Sequence, residues 1–152
     1  NQINTIGTDH VANQLKLKLD GNTVWDALAG FPSIGTLLPL MLSEGVNKNR
    51  ISVSQLANLT SMNAAKIFGM YPAKGSLELN SDADVTLVDL KKEQKVTTDL
   101  FGGFSDYIVY DGWKLKGWPV KTIIRGEMVS EDFQVIGKPG YGKLVSRKTN
   151  ST

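Results

Sequence analysis

The spacing of apolar positions changes once along the chain, near residue 70. Before that point the pattern is mostly helical. Residues 36–46 (TLLPLMLSEGV) predict a helix that Thr36 can cap, with Pro39 in the first turn, where a missing N–H costs little, and Gly45 and Asn47 at its end. Ser52 or Ser54 starts the next helix, whose apolar face is Val53, Leu56, Ala57 and Leu59. Asn63 predicts the cap of a further short helix over 64–68, stopped by Gly69. Ahead of this block, residues 3–8 are short and rich in β-branched side chains. They predict a strand ending at the polar pair Asp9-His10. Residues 11–23 read as a loop with a turn at Asp20-Gly21, and residues 25–35 as a buried, irregular connection.

After Tyr71-Pro72 the pattern alternates. Strands are predicted at 76–79, 84–90 and 95–98, with a polar turn at 80–82. Residues 120–124 and 127–129 flank Arg125-Gly126, a hairpin signature. The Gly- and Lys-rich tail over 138–152 reads as a surface strand with a disordered end. The chain thus divides into a strand-plus-helices part (1–70), a strand-only part (71–137) and a tail (138–152). Neither half offers a comfortable core, since about 60–70 residues lies near the lower limit for independent folding. Both read as pieces of something larger.

Composition narrows the chemistry. The chain is 41% hydrophobic and 21% charged, typical of a globular protein. Its 17 basic and 15 acidic residues leave a net charge of +2, which gives no reason to expect nucleic acid or an anionic membrane as partner. Cysteine is absent, which excludes disulfides and thiolate chemistry, and the one histidine, His10, excludes a multi-histidine metal site built from these residues alone. The longest apolar run, 37–42, is broken by Pro39 and is far shorter than the roughly 20 residues needed to span a bilayer. No charged, then apolar, leader is visible and residue 1 is Asn, so the chain is expected to be cytoplasmic and incomplete at its start.

Each candidate motif has a bland counterpart. A carboxylate such as Asp9 at the end of a barrel strand can bind a metal ion and take a proton, or it can simply satisfy a turn. His10 reads as a hydrogen-bonded structural histidine. Asp82 and Asp84 lack EF-hand spacing and read as a polar turn. Tyr107, Tyr110, Trp113 and Trp118, interleaved with Lys114 and Lys116, could stack bases, but fit a packed loop or an oligomer contact better. Asn-x-Ser/Thr triplets at Asn58 and Asn150 read as accidental.

Taken in order, TIGTDH (5–10), GFPSIGTLLPLMLSEGVNKNRIS (30–52), NAAKIFGMYPAKGSL (63–77), SDADVTLVDL (81–90), YDGWKLKGWPVKTIIRGEMVSED (110–132) and GKPGYGKLVSR (137–147) resemble the C-terminal part of cyclic amidohydrolases. The branch is that of hydantoinases, dihydropyrimidinases and allantoinases, with dihydroorotases more distant. The resemblance implies an α/β fold class: the last strand and trailing helices of a TIM-type (β/α)8 barrel, plus the C-terminal part of a small β-sandwich. A complete barrel takes roughly 250 residues, so this chain cannot hold one.

Asp9 matches the family's metal-binding aspartate and general acid/base. Ala29 and Gly30 fall where the family holds the ring amide through backbone. An Asn precedes that glycine in D-hydantoinases and dihydropyrimidinases, so Ala29 shifts the likeness toward L-hydantoinase or allantoinase-like members. The resemblance further implies two divalent metal ions, zinc first among them, in the parent enzyme and none held by these residues alone. It implies a small cyclic amide substrate, a homo-oligomer (dimer or tetramer), and no activity from the 152 residues by themselves. The alternative is a non-catalytic dihydropyrimidinase-like assembly or signalling protein.

Overall fold

A computed structural model describes residues 3–147. Asn150 and the end of the predicted tail lie outside those residues. Helices occupy the first half and an antiparallel sheet the second. The helices are α1 (Leu15–Leu19), α2 (residues 34–46) and α3 (residues 53–67), and the strands are β1 (Val85–Lys95), β2 (Lys114–Ile124), β3 (Glu127–Glu131) and β4 (Gln134–Val135).

Helix α2 begins a turn earlier than its sequence suggests. Ile34–Thr36 forms a 3₁₀ turn, Leu37–Leu40 an α turn, and Met41–Val46 a π segment. Thr36 does not cap the helix. Its buried hydroxyl donates instead to the Ser33 carbonyl at 2.9 Å. In α3, Ser52 is the cap, in a reciprocal pair with Gln55. The helix then runs unbroken to Ile67 through a π segment at Asn58–Met62. Asn63 therefore caps nothing, and its amide donates to the Asn4 carbonyl. Gly69, at φ 69°, ends α3 through the paired bonds Gly69 N–H to Lys66 O and Met70 N–H to Ala65 O.

Four strands form one meander in the order β1-β2-β3-β4, every pair antiparallel. Arg125 and Gly126 both have positive φ, as a two-residue hairpin requires, so the predicted turn is present. A second tight turn at Asp132-Phe133 carried no sequence signal. Phe133 takes a positive φ that bulky residues avoid, and its ring packs edge-on against Trp118 and Phe101, at 5.5 and 5.9 Å between centroids. The strand expected at 76–79 does not form. Leu77 and Leu79 are almost fully exposed, with no ladder to join.

Val96, Leu115 and Trp118 are the centre of the core, with Leu40, Leu100, Phe101, Ile108 and Phe133 around them. Trp118 is completely buried and donates its indole N–H to the Leu115 carbonyl. The aromatic group around it is thus largely packing, not a stacking surface. Helix α2 lies on β2, where Gly117 makes the close approach possible. A Cβ at Gly117 would sit 2.8 Å from the Leu42 Cβ. Asn47, just past α2, closes the contact by donating to the Lys116 carbonyl.

Candidate functional site

Residues 3–11 run past α3 and the 28–34 loop. Ile6 N–H donates to the Leu59 carbonyl, and Val11 N–H to the Phe31 carbonyl. The strand expected at 3–8 does not form, and a single parallel bridge lies just past it, between His10 and Phe31. A parallel strand needs a paired edge, and among the described residues this segment meets α3 and the 28–34 loop through single bonds instead. The connection over 25–35 is not the buried segment expected. Pro32 and Ser33 are buried, whereas Trp25 is 91% exposed.

Asp9 closes this segment in the left-handed region, at φ 49°, a conformation that Asp tolerates better than most residues. It is exposed, and among the described residues its carboxylate has no hydrogen-bond or ion-pair partner. His10 is tied into the structure through one ring nitrogen. Its Nδ1 accepts from the Ser33 N–H at 3.1 Å and, more weakly, from the Ile34 N–H at 3.4 Å. That is the structural histidine expected of a lone imidazole.

Ala29 and Gly30 lie on the loop that runs alongside Asp9. Gly30 has φ 74°, and a Cβ there would fall 2.3 Å from a Val11 methyl and 3.3 Å from the Asp9 carbonyl oxygen. Only glycine allows the loop this close. Lys18, from α1, reaches across to donate to the carbonyls of Leu28 at 2.6 Å and Gly30 at 2.8 Å. Nothing in the local sequence marks Lys18 for this task, because its partners are ten and twelve residues away.

A metal centre finds little support within these residues. Among the described residues no three His, Cys, Asp or Glu side chains come together. Asp9 can offer one oxygen ligand, and His10 has committed Nδ1 to backbone. A binuclear site would need most of its ligands from outside the described residues.

Asp82 and Asp84 are not a cation site either, as their turn spacing suggested. Both carboxylates pair with the Lys74 ammonium, Asp82 at 2.8 Å, and Asp84 also accepts from the Arg125 N–H at 2.9 Å. Burial works to raise the Asp84 carboxyl, but the Lys74 and Arg125 bonds outweigh it and hold the group below the usual carboxylate range. Burial likewise works to lower Lys74, and its two aspartates keep it above the usual lysine value. The trio ties the 72–84 segment to the hairpin turn. Among the described residues no helix is long and apolar enough to cross a membrane.

Comparison with known proteins gives one consistent answer. Residues 2–129 match the amidohydrolase family model. The chain is 39% identical over 147 residues to an L-hydantoinase from Paenarthrobacter aurescens, covering 96% of this chain and 32% of that protein. It is 36% identical over 144 residues to a dihydroorotase from Methanothermobacter thermautotrophicus, covering 95% and 32%. A crystal structure of a D-hydantoinase superposes with a TM-score of 0.88 at 36% identity, over 93% of this chain and 31% of that one. The chain spans about a third of the length of the curated relatives it matches.

Proposed function

This chain belongs to the amidohydrolase family, and from that premise we propose that the protein carrying it hydrolyses a C–N bond of a small cyclic amide of the hydantoin, dihydropyrimidine or allantoin type. The observation that carries this reading is Asp9: an exposed, unpaired carboxylate beside a loop that glycine brings against its own carbonyl. In this reading Asp9 accepts the proton of the attacking water and returns it to the ring nitrogen as the amide opens. The backbone at Ala29 and Gly30 holds the ring amide. Two divalent ions, zinc first among them, would bind partly through Asp9 and supply Lewis acidity and a more acidic water.

Residues 1–70 are then the end of the barrel, 71–137 a share of the sandwich, and the protein a homo-oligomer. With Ala29 in the loop, the substrate leans toward an L-hydantoin or an allantoin-like ring. The 39% identity to an L-hydantoinase is in line with that.

The test is Asp9→Asn in the full-length protein, assayed by release of the ring-opened carbamoyl product. We expect kcat to fall by about 10³-fold or more with the fold unchanged. Retention of activity within tenfold overturns the role. A wild-type protein that opens none of these rings favours the non-catalytic alternative. The 152 residues alone are expected to be inactive, and measurable turnover by them would contradict the division into pieces.

A further inference from the structure

We infer that Lys18 is a positioning residue that sets the peptide planes of the ring-binding loop. The inference rests on the reading above for what the loop binds, but not for how the loop is held.

Helix α1 buries none of its residues, and Leu15, Leu17 and Leu19 all stand exposed. Packing therefore does not explain where the helix lies. Its long-range bonds are polar. At its start, the Leu15 N–H donates to the Asp106 carboxylate at 2.7 Å, across 91 residues of sequence. Near its end, the Lys18 ammonium grips the Leu28 and Gly30 carbonyls. Bonds from a charged donor are roughly twice as strong as neutral ones.

That grip has a geometric consequence. In a planar trans peptide the carbonyl and the following N–H point in opposite directions. Fixing the Leu28 and Gly30 carbonyls toward Lys18 therefore turns the N–H groups of Ala29 and Phe31 away from it. The Phe31 carbonyl is itself held by the Val11 N–H at 3.2 Å, and Gly30 is pressed against Val11 and the Asp9 carbonyl. Among the described residues nothing engages the Ala29 N–H. Lys18 thus leaves the Ala29 N–H as an oriented, unsatisfied donor on a loop whose far end is fixed beside Asp9. A cyclic amide offers a carbonyl to such a donor. Asp106 extends the brace into the sheet half, so the loop's orientation depends on residues from both parts of the chain.

The test uses Lys18→Met and Lys18→Arg in the full-length protein. Steady-state ring opening is measured with hydantoin and dihydrouracil, and amide hydrogen exchange is followed over residues 8–12 and 28–35. Lys18→Met is expected to raise KM about tenfold with kcat within about threefold, and Lys18→Arg to recover most of the loss. Exchange at Val11 and Ser33 should quicken in Lys18→Met and not in Lys18→Arg. Unchanged KM together with unchanged exchange overturns the inference, and so does a fall in kcat with KM unaltered. If Lys18→Met does not fold, Asp106→Asn carries the test. It leaves Lys18 in place but loosens its helix, so a KM rise of about threefold supports the inference and an unchanged KM overturns it. If the wild type opens no ring, the proposed function fails and the exchange comparison alone decides on Lys18.

Discussion

The sheet and the segment that carries Asp9 are held together by different means. Around Trp118 the sheet closes over a core of its own, with aromatic rings interlocked and the indole N–H satisfied. Residues 3–33 have almost no buried apolar side chains, and single hydrogen bonds keep them in place: Ile6 to Leu59, Val11 to Phe31, His10 to Ser33, Lys18 to the loop. One region resists change because many dispersion contacts add up. The other is set by a few directional bonds, each of which can be removed singly. Stability and chemistry are therefore separable in this chain, and the residues proposed to react lie where its own packing is thinnest.

The separation can be attacked from the sheet side first. Trp118→Ala removes the largest fully buried side chain and is expected to cost about 3–5 kcal/mol in urea unfolding. A loss under 1 kcal/mol would mean that the sheet does not depend on this core. Asp9→Asn is the counterpart. Its effect on unfolding free energy should stay within about 0.5 kcal/mol, since the side chain is exposed and unpaired. A large stability change there would erase the distinction.

Between these extremes lies Ser52→Ala, which deletes the α3 cap and should cost about 1 kcal/mol by thermal unfolding. The Lys74 trio is sharper in pH than in magnitude. Because the folded Asp84 carboxyl is held low, its contribution is present above about pH 4 and is lost as acid titrates the folded group. Lys74, held high, contributes below about pH 10 and loses that contribution as alkali removes its proton. Lys74→Met should flatten both limbs of the stability–pH curve by an amount on the order of 1 kcal/mol. An unchanged acid limb would place the acid sensitivity elsewhere.

Features set by neighbours in sequence were legible in it. The Ser52 cap, the Gly69 stop and the Arg125-Gly126 hairpin each depend on a few adjacent residues, and each is present. Asn63 misled because a good capping residue also fits inside a helix when the preceding turn keeps winding, here through a π segment. Leu77 and Leu79 have strand-like alternation, yet alternation forms no strand without a partner edge. At the site, the structural role of His10 could be read locally, whereas the strand expected to end at Asp9 does not form. The parts played by Lys18 and Asp106 could not be read, because a bond spanning 91 residues leaves no periodic or compositional trace.

The three tryptophans occupy three different settings: Trp25 almost wholly in solvent, Trp113 half exposed, and Trp118 sealed. That graded exposure makes the chain its own optical gauge. Trp25 should emit far to the red and yield readily to an aqueous quencher, while Trp118 should emit to the blue and resist it. Anything that covers Trp25 will move the red component, and loss of the core will move the blue one. A Trp25→Phe variant, recorded beside the parent, assigns the two signals without any label.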